Sequence, residues 1–377
     1  MKKTLGIIIF SFCIVAIYSQ NSSMNSITAF RNANICFEEK DYGKALKFSE
    51  DAITLRKEQI KYEISTVEKS LASKEVKKAG DRIDDVLAVL EERGEVDCIS
   101  VINHYVKKNG KTFFNESISQ LLDYIKQQEE YPEAQKLIGD VYRIEGEYDF
   151  AEEYYRKALS NQSVLDIPDE KYEILYLLAE ISRLKGDDEK LEVRLLNIIG
   201  NTQTEKNKVL VRAMRNTVYA DKKENVNKLF HLYRTYDYYS LKAYSQLADY
   251  YYKLNEMQKA FDYSALAMLN GFTRICSLME KRDSEYTFND LAGFFDKVPE
   301  YSDILEWGKE NSIWKNFNVF CNICADMGYT TFSMEMLEII AFHSPEKYWQ
   351  QEAVLKLDTL DGISKPVEAA EAMEKVE

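Results

Sequence analysis

Apolar side chains recur at three- and four-residue spacing along most of the chain, the period of one face of an α-helix. In residues 81–93, Ile83, Val86, Leu87 and Leu90 share such a face, and Gly94 ends the segment. Ile99, Ile102, Tyr105 and Val106 repeat the pattern up to Gly110, and Ile118, Leu121, Leu122 and Ile125 carry it into a further helix. Short breaks separate these segments, so they read as helical hairpins.

The densest pattern lies in 132–159. Counted from Pro132 as position 1, Ile138, Gly139, Tyr142, Gly146, Tyr148, Ala151, Tyr155 and Ala158 fall at positions 7, 8, 11, 15, 17, 20, 24 and 27. Small residues at 8 and 20 let two helices approach closely, large ones fill the space around the contact, and Gly146 stands where the first helix must stop. This spacing resembles a tetratricopeptide repeat. From Tyr172 the same frame gives Leu178, Ala179, Ser182, Gly186, Leu191, Leu195 and Ile198, with Asp188 in place of the usual aromatic. From Leu241 it gives Leu247, Ala248, Tyr251, Asn255, Met257, Ala260, Ser264 and Ala267. Between them a frame from Asn207 keeps the apolar pattern through Leu210, Met214, Val226 and Phe230 without the small residues. Outlying frames begin at Ser26, with Ala33, Ala45, Ser49 and Ala52, and at Trp314, with Phe317, Phe320, Cys321, Cys324, Gly328, Ser333, Leu337 and Ile340.

The resemblance implies an all-α fold, a right-handed α-solenoid of helical hairpins. It also implies a concave groove lined from the first helix of each repeat at positions 2, 5, 9, 12 and 13. On the three clearest frames the groove residues are Lys136, Asp140, Arg143, Tyr176, Glu180, Arg183, Asp249 and Tyr252. Position 9 is Asp140 where chaperone-binding members carry Asn, so their clamp for a C-terminal carboxylate is not reproduced. The organisation expected is a signal peptide at 1–19, N-terminal hairpins with one divergent repeat at 20–131, a repeat array at 132–274, a C-terminal helical region with a further divergent repeat at 275–362, and a disordered tail at 363–377.

Composition supports helix and narrows the partners. Among 377 residues there are only 14 Gly and 5 Pro, too few for the turns of a large β-fold. The formal net charge of −14 disfavours nucleic acid and anionic lipid. One stretch departs from it: residues 202–234 hold eight basic side chains (Lys206, Lys208, Arg212, Arg215, Lys222, Lys223, Lys228, Arg234) against three acids (Glu205, Asp221, Glu224). A solvated face is the ordinary account of such a run, and a docking site for an acidic partner the other.

Lys2 and Lys3 precede an apolar run over 5–18 and a polar Asn-Ser segment, the layout of a secretory signal cut after Ser19. Fourteen apolar residues are short for a span, with retention as an anchor the alternative. No later segment reaches spanning length without a charge, so the expected location is the periplasm or cell envelope. Five cysteines follow Ser19, and the Cys321-Asn-Ile-Cys324 spacing, inside an apolar helical pattern, reads as two small core residues rather than a redox pair. His104, His231 and His343 are far apart, and no phosphate loop, nucleophile elbow or metal-spacing cluster occurs. The expectation is a non-enzymatic scaffold with no cofactor or metal, binding another protein or peptide. The alternative is a periplasmic binder of a small or lipidic molecule in a cavity among the repeats.

Overall fold

In a computed structural model of the chain, residues 25–200, 204–220, 222, 224–360 and 362 are described. The expected signal peptide and acidic tail lie outside them. All regular structure among the described residues is helical, with one isolated antiparallel bridge between Arg82 and Ser117. Packing divides the chain between Gly186 and Asp187 into two compact units.

In the first unit α1 (Ser26–Glu38) and α2 (Tyr42–Leu71) form a hairpin, each opened by a side-chain cap, Asn25 accepting from the Thr28 N–H and Asp41 from the Lys44 N–H. Ala29, Ala33, Ala45, Ser49 and Ala52 are fully buried, which is what the frame from Ser26 requires of its small positions. The long α2 runs on to meet α3 (Lys74–Ala79), α4 (Ile83–Glu92), α5 (Val96–Asn109) and α6 (Ile118–Gln127). Their apolar faces, including Ile83, Leu90, Ile102 and Ile125, close on Ile60 and Val67 in one core.

Pro132 opens α7 (Pro132–Ile144), where its fixed φ suits the first helical turn. Gly146, at φ 84°, turns the chain into α8 (Tyr148–Ser160). The Tyr155 ring lies over Gly139 so closely that a Cβ there would stand 2.7 Å from it. Ile174, Leu178 and Ile181 of α9 (Glu170–Leu184) complete this core against Ala151, Tyr155 and Ala158.

The second unit begins with α10 (Asp188–Ile199), so the two helices of the frame from Tyr172 belong to different units. It continues through α11 (Thr204–Tyr219) and α12 (Asn225–Leu232) to the hairpin of α13 (Leu241–Lys253) and α14 (Met257–Arg282). Asn255 takes the left-handed turn at φ 58°, and Leu247, Ala248, Ala260 and Ser264 are buried as their frame demands. α14 continues past Gly271 to Arg282, and the boundary expected at 274/275 falls inside it. Gly271 serves a close approach, its Cβ position standing 2.7 Å from the Ile313 side chain.

After α15 (Leu291–Lys297) and α16 (Ser302–Glu310), α17 (Ile313–Asp326) and α18 (Thr330–His343) form a last hairpin around Gly328, followed by α19 (Lys347–Leu360). Cys321 and Cys324 are free thiols with no exposed surface, and burial raises both well above the ordinary thiol pKa. A buried thiol of that kind packs as a small apolar residue. No helix of the described residues is long and apolar enough to cross a membrane.

Two glycine substitutions separate packing from propensity. Gly139→Ala drives a methyl into the Tyr155 ring and is expected to cost about 1–3 kcal/mol in urea unfolding. Gly43→Ala, in open space within α2, is expected to gain up to about 1 kcal/mol. Equal effects at the two positions would contradict the close approach.

Candidate functional site

Of the expected groove residues, six lie on α7 and α9 in the first unit. Lys136 Nζ stands 3.2 Å from Asp140 Oδ2 and 2.8 Å from Glu173 Oε1, and Arg143 Nη1 stands 3.7 Å from Glu180 Oε1. Both cross-helix pairs join residues separated by the same offset, 136 to 173 and 143 to 180, so α7 and α9 run parallel and in register. The two helices therefore present one charged face.

That face is anchored from below. Tyr155 of α8 donates its hydroxyl to Asp140 Oδ1 at 2.7 Å and accepts from Arg143 Nε at 3.3 Å. Burial, reinforced by the Asp140 charge, holds the phenol proton firmly on Tyr155. Burial also works against the Lys136 charge, but Asp140 and Glu173 outweigh it and raise its pKa. The side chains of Lys136 and Asp140 are only 14% and 11% exposed. They are structural cations and anions first, since removing one partner would strand a charge in a dry setting. Solvent reaches the outer members: Glu173 is 59% exposed and Arg183, 4.0 Å from Glu180, is 62% exposed. Tyr176 is half-buried between them on α9.

At the N-terminal end of the face the carboxylates outnumber the cations. Glu133 Oε1 accepts the Asp166 N–H at 2.7 Å, tying the 161–169 connection to α7. Burial lifts the Glu133 carboxyl above the ordinary value, with Asp166 repelling it and the backbone hydrogen bonds and Arg56 offsetting only part. Glu170 is raised in the same way, by burial and by Glu133, Glu173 and Asp140, against the opposing charge of Lys136.

The remaining two groove residues lie in the second unit, where α17 meets the corresponding positions of α13. Asp249 pairs with Lys315, and Ser245 Oγ donates to Asn316 Oδ1 at 2.7 Å. Tyr252 donates to Asp326, whose other oxygen accepts from Lys356 Nζ at 2.8 Å. Burial, with Asp326 alongside, pushes the Tyr252 hydroxyl up to about 12. These side chains are spent on holding the unit together, a role the repeat positions gave no sign of because Lys315, Asn316 and Asp326 lie more than sixty residues away. Tyr155 was also missed as a polar hub: its frame position predicts a large buried ring, and the hydroxyl's reach to Asp140 depends on the helix pairing.

His343 pairs with Asp296 at 2.9 Å, His231 meets the Asn289 carbonyl at 2.7 Å, and His104 lies edge-on to Tyr105. Among the described residues no group of three or more His, Cys, Asp or Glu is placed to hold a metal ion.

Comparison with known proteins adds two findings. Residues 139–220 match the family described as an uncharacterized protein conserved in bacteria (DUF2225). The chain is also 27% identical over 329 residues, 86% of its own length and 87% of the relative's, to an uncharacterized protein of Treponema pallidum (strain Nichols). The family match begins at Gly139 and takes in Asp140, Arg143 and Tyr155.

The raised Glu133 pKa makes a signed prediction. A carboxyl favoured in its protonated form by the fold stabilises fully below the unfolded value, about 4.3, and that contribution is lost as pH rises through the higher folded value. Glu133→Gln keeps an acceptor for the Asp166 N–H and removes the charge. It should raise thermal stability at neutral pH and give no gain below about pH 4. A loss of stability at neutral pH would contradict the assignment.

Proposed function

We propose that the protein is an exported, non-enzymatic repeat scaffold of the tetratricopeptide type. Its role is to hold another protein or peptide in the cell envelope, against the face shared by α7 and α9. The observation that carries the reading is the in-register pairing of Lys136 with Glu173 and Arg143 with Glu180, which turns two helices into one continuous polar surface. Such a surface suits an extended chain, whose own charges can exchange with the outer members of the pairs. Arg183 and Tyr176 are the residue types that most often anchor interfaces, and Glu173 and Arg183 are open to solvent. Lys136, Asp140 and Arg143 set the geometry from beneath. The basic start and short apolar run before Ser19 support export. Core packing around Tyr155 leaves the hairpin interior filled, which favours this reading over a small-molecule cavity among the repeats.

Site-directed photo-crosslinking in the native cell tests it. A photoreactive side chain at Glu173 or Arg183 should give a discrete protein conjugate in the envelope fraction, and one at Lys157 on α8, where that residue pairs with Glu153, should not. Tyr176→Ala with Arg183→Glu should abolish the conjugate while leaving the far-ultraviolet helical spectrum unchanged. The same conjugate from all three positions, or persistence in the double variant, would contradict the proposed face.

A further inference from the structure

The basic stretch over 202–234 runs against the charge of the rest of the chain, and the face on α7 and α9 makes no use of it. In the second unit its helix α11 lies beside the irregular segment 233–237, and between them is a cleft of about 680 Å³. Lys206, Val209 and Leu210 line it from the helix, and Tyr233, Arg234 and Tyr236 from the segment.

The walls are fixed. Asn207 Nδ2 donates to the Tyr244 hydroxyl at 2.7 Å, and that hydroxyl donates to Asp237 Oδ2 at 2.9 Å, so the acid on the cleft wall is held by a buried tyrosine. The Thr235 N–H donates to Thr273 Oγ1 at 3.2 Å, which ties the segment to α14. The Arg234 guanidinium lies 4.6 Å from the Phe272 ring centre and 5.5 Å from that of Phe288 and donates to the Tyr233 carbonyl, which leaves it few rotamers to lose on binding.

Two large apolar side chains nevertheless stand open in this anchored cleft, Val209 at 71% exposure and Tyr236 at 67%. Lys206 is exposed on the same helix, and Arg212 is exposed one turn beyond Val209. Around these apolar groups Lys206, Arg212 and Arg234 outnumber the one carboxylate lining the cleft, Asp237, so the site is complementary to a chain that carries carboxylates around a large apolar side chain. The chain's formal net charge of −14 disfavours an anionic bilayer as the occupant.

We propose that the cleft between α11 and 233–237 is a second recognition site, which binds an extended acidic peptide segment carrying a large apolar residue. Val209 and Tyr236 seat the apolar side chain. Lys206, Arg212 and Arg234 meet the carboxylates, and the site works independently of the α7 and α9 face.

The probe is a short fluorescein-labelled peptide of alternating Glu or Asp with Leu or Phe, titrated with the full chain and followed by fluorescence anisotropy. Binding should be saturable and should weaken as salt rises. It should fall about tenfold or more with Lys206→Glu plus Arg212→Glu, and also fall with Val209→Ser. All three substitutions are at exposed positions, so thermal melting should stay at the wild-type value. The same peptide with Lys in place of every acid should not bind, and Tyr176→Ala with Arg183→Glu should leave binding intact. Four results overturn the site: no saturable binding to the wild type, equal binding of the Lys peptide, unchanged binding by the charge-reversed variant, or binding to phosphatidylserine vesicles lost in that variant while the peptide fails to bind.

Discussion

The Tyr155 ring can lie on α7 only because residue 139 has no side chain, and most of what the first unit displays follows from that contact. With the ring at that depth, its hydroxyl comes to Asp140 and Arg143, one residue and one turn further along α7. A buried carboxylate next to a buried lysine would otherwise be costly. Here each polar atom has a partner of opposite sign or complementary hydrogen bonding, and the pairs pass the constraint outward to Glu173 and Glu180. These pairs lie over the apolar contact of Ile174, Leu178 and Ile181 with Ala151, Tyr155 and Ala158, which carries the packing of α9.

This arrangement separates two jobs that one row of groove positions would combine. The inner residues, Lys136, Asp140 and Arg143, are tied to one another and to Tyr155, and are poor candidates for exchanging partners. Of the outer ones, Glu173 is held by Lys136 and Arg183 lies 4.0 Å from Glu180, and both reach solvent. In the second unit the equivalent positions on α13 are tied by α17 instead, through Lys315, Asn316 and Asp326. There exposed basic and apolar side chains occur together where α11 lies beside the segment 233–237, at Lys206, Val209 and Tyr236.

What could be read from sequence is what depends on nearby residues. Helical period, the turns at Gly146 and Gly328, the left-handed Asn255, the small buried residues of the hairpins and the core placement of Cys321 and Cys324 all follow from spacing within some thirty residues. What escaped depends on contacts between distant segments. The need for a glycine at 271 is explained only by Ile313 across the core. Asp249 and Tyr252 look like groove residues until α17 is placed against them. The polar function of Tyr155 was hidden because a frame assigns it volume and says nothing of its hydroxyl. The charge inversion over 202–234 was visible throughout, but its meaning needed the cleft.

Tyr155 and Asp140 act as one buried unit beneath the α7 and α9 face. A double-mutant cycle of Tyr155→Phe and Asp140→Asn, measured by urea unfolding, tests it most directly. The account predicts a coupling of about 1–3 kcal/mol between the two substitutions. Additivity within about 0.5 kcal/mol would mean that the hydroxyl and the carboxylate stabilise the fold separately, and would contradict it.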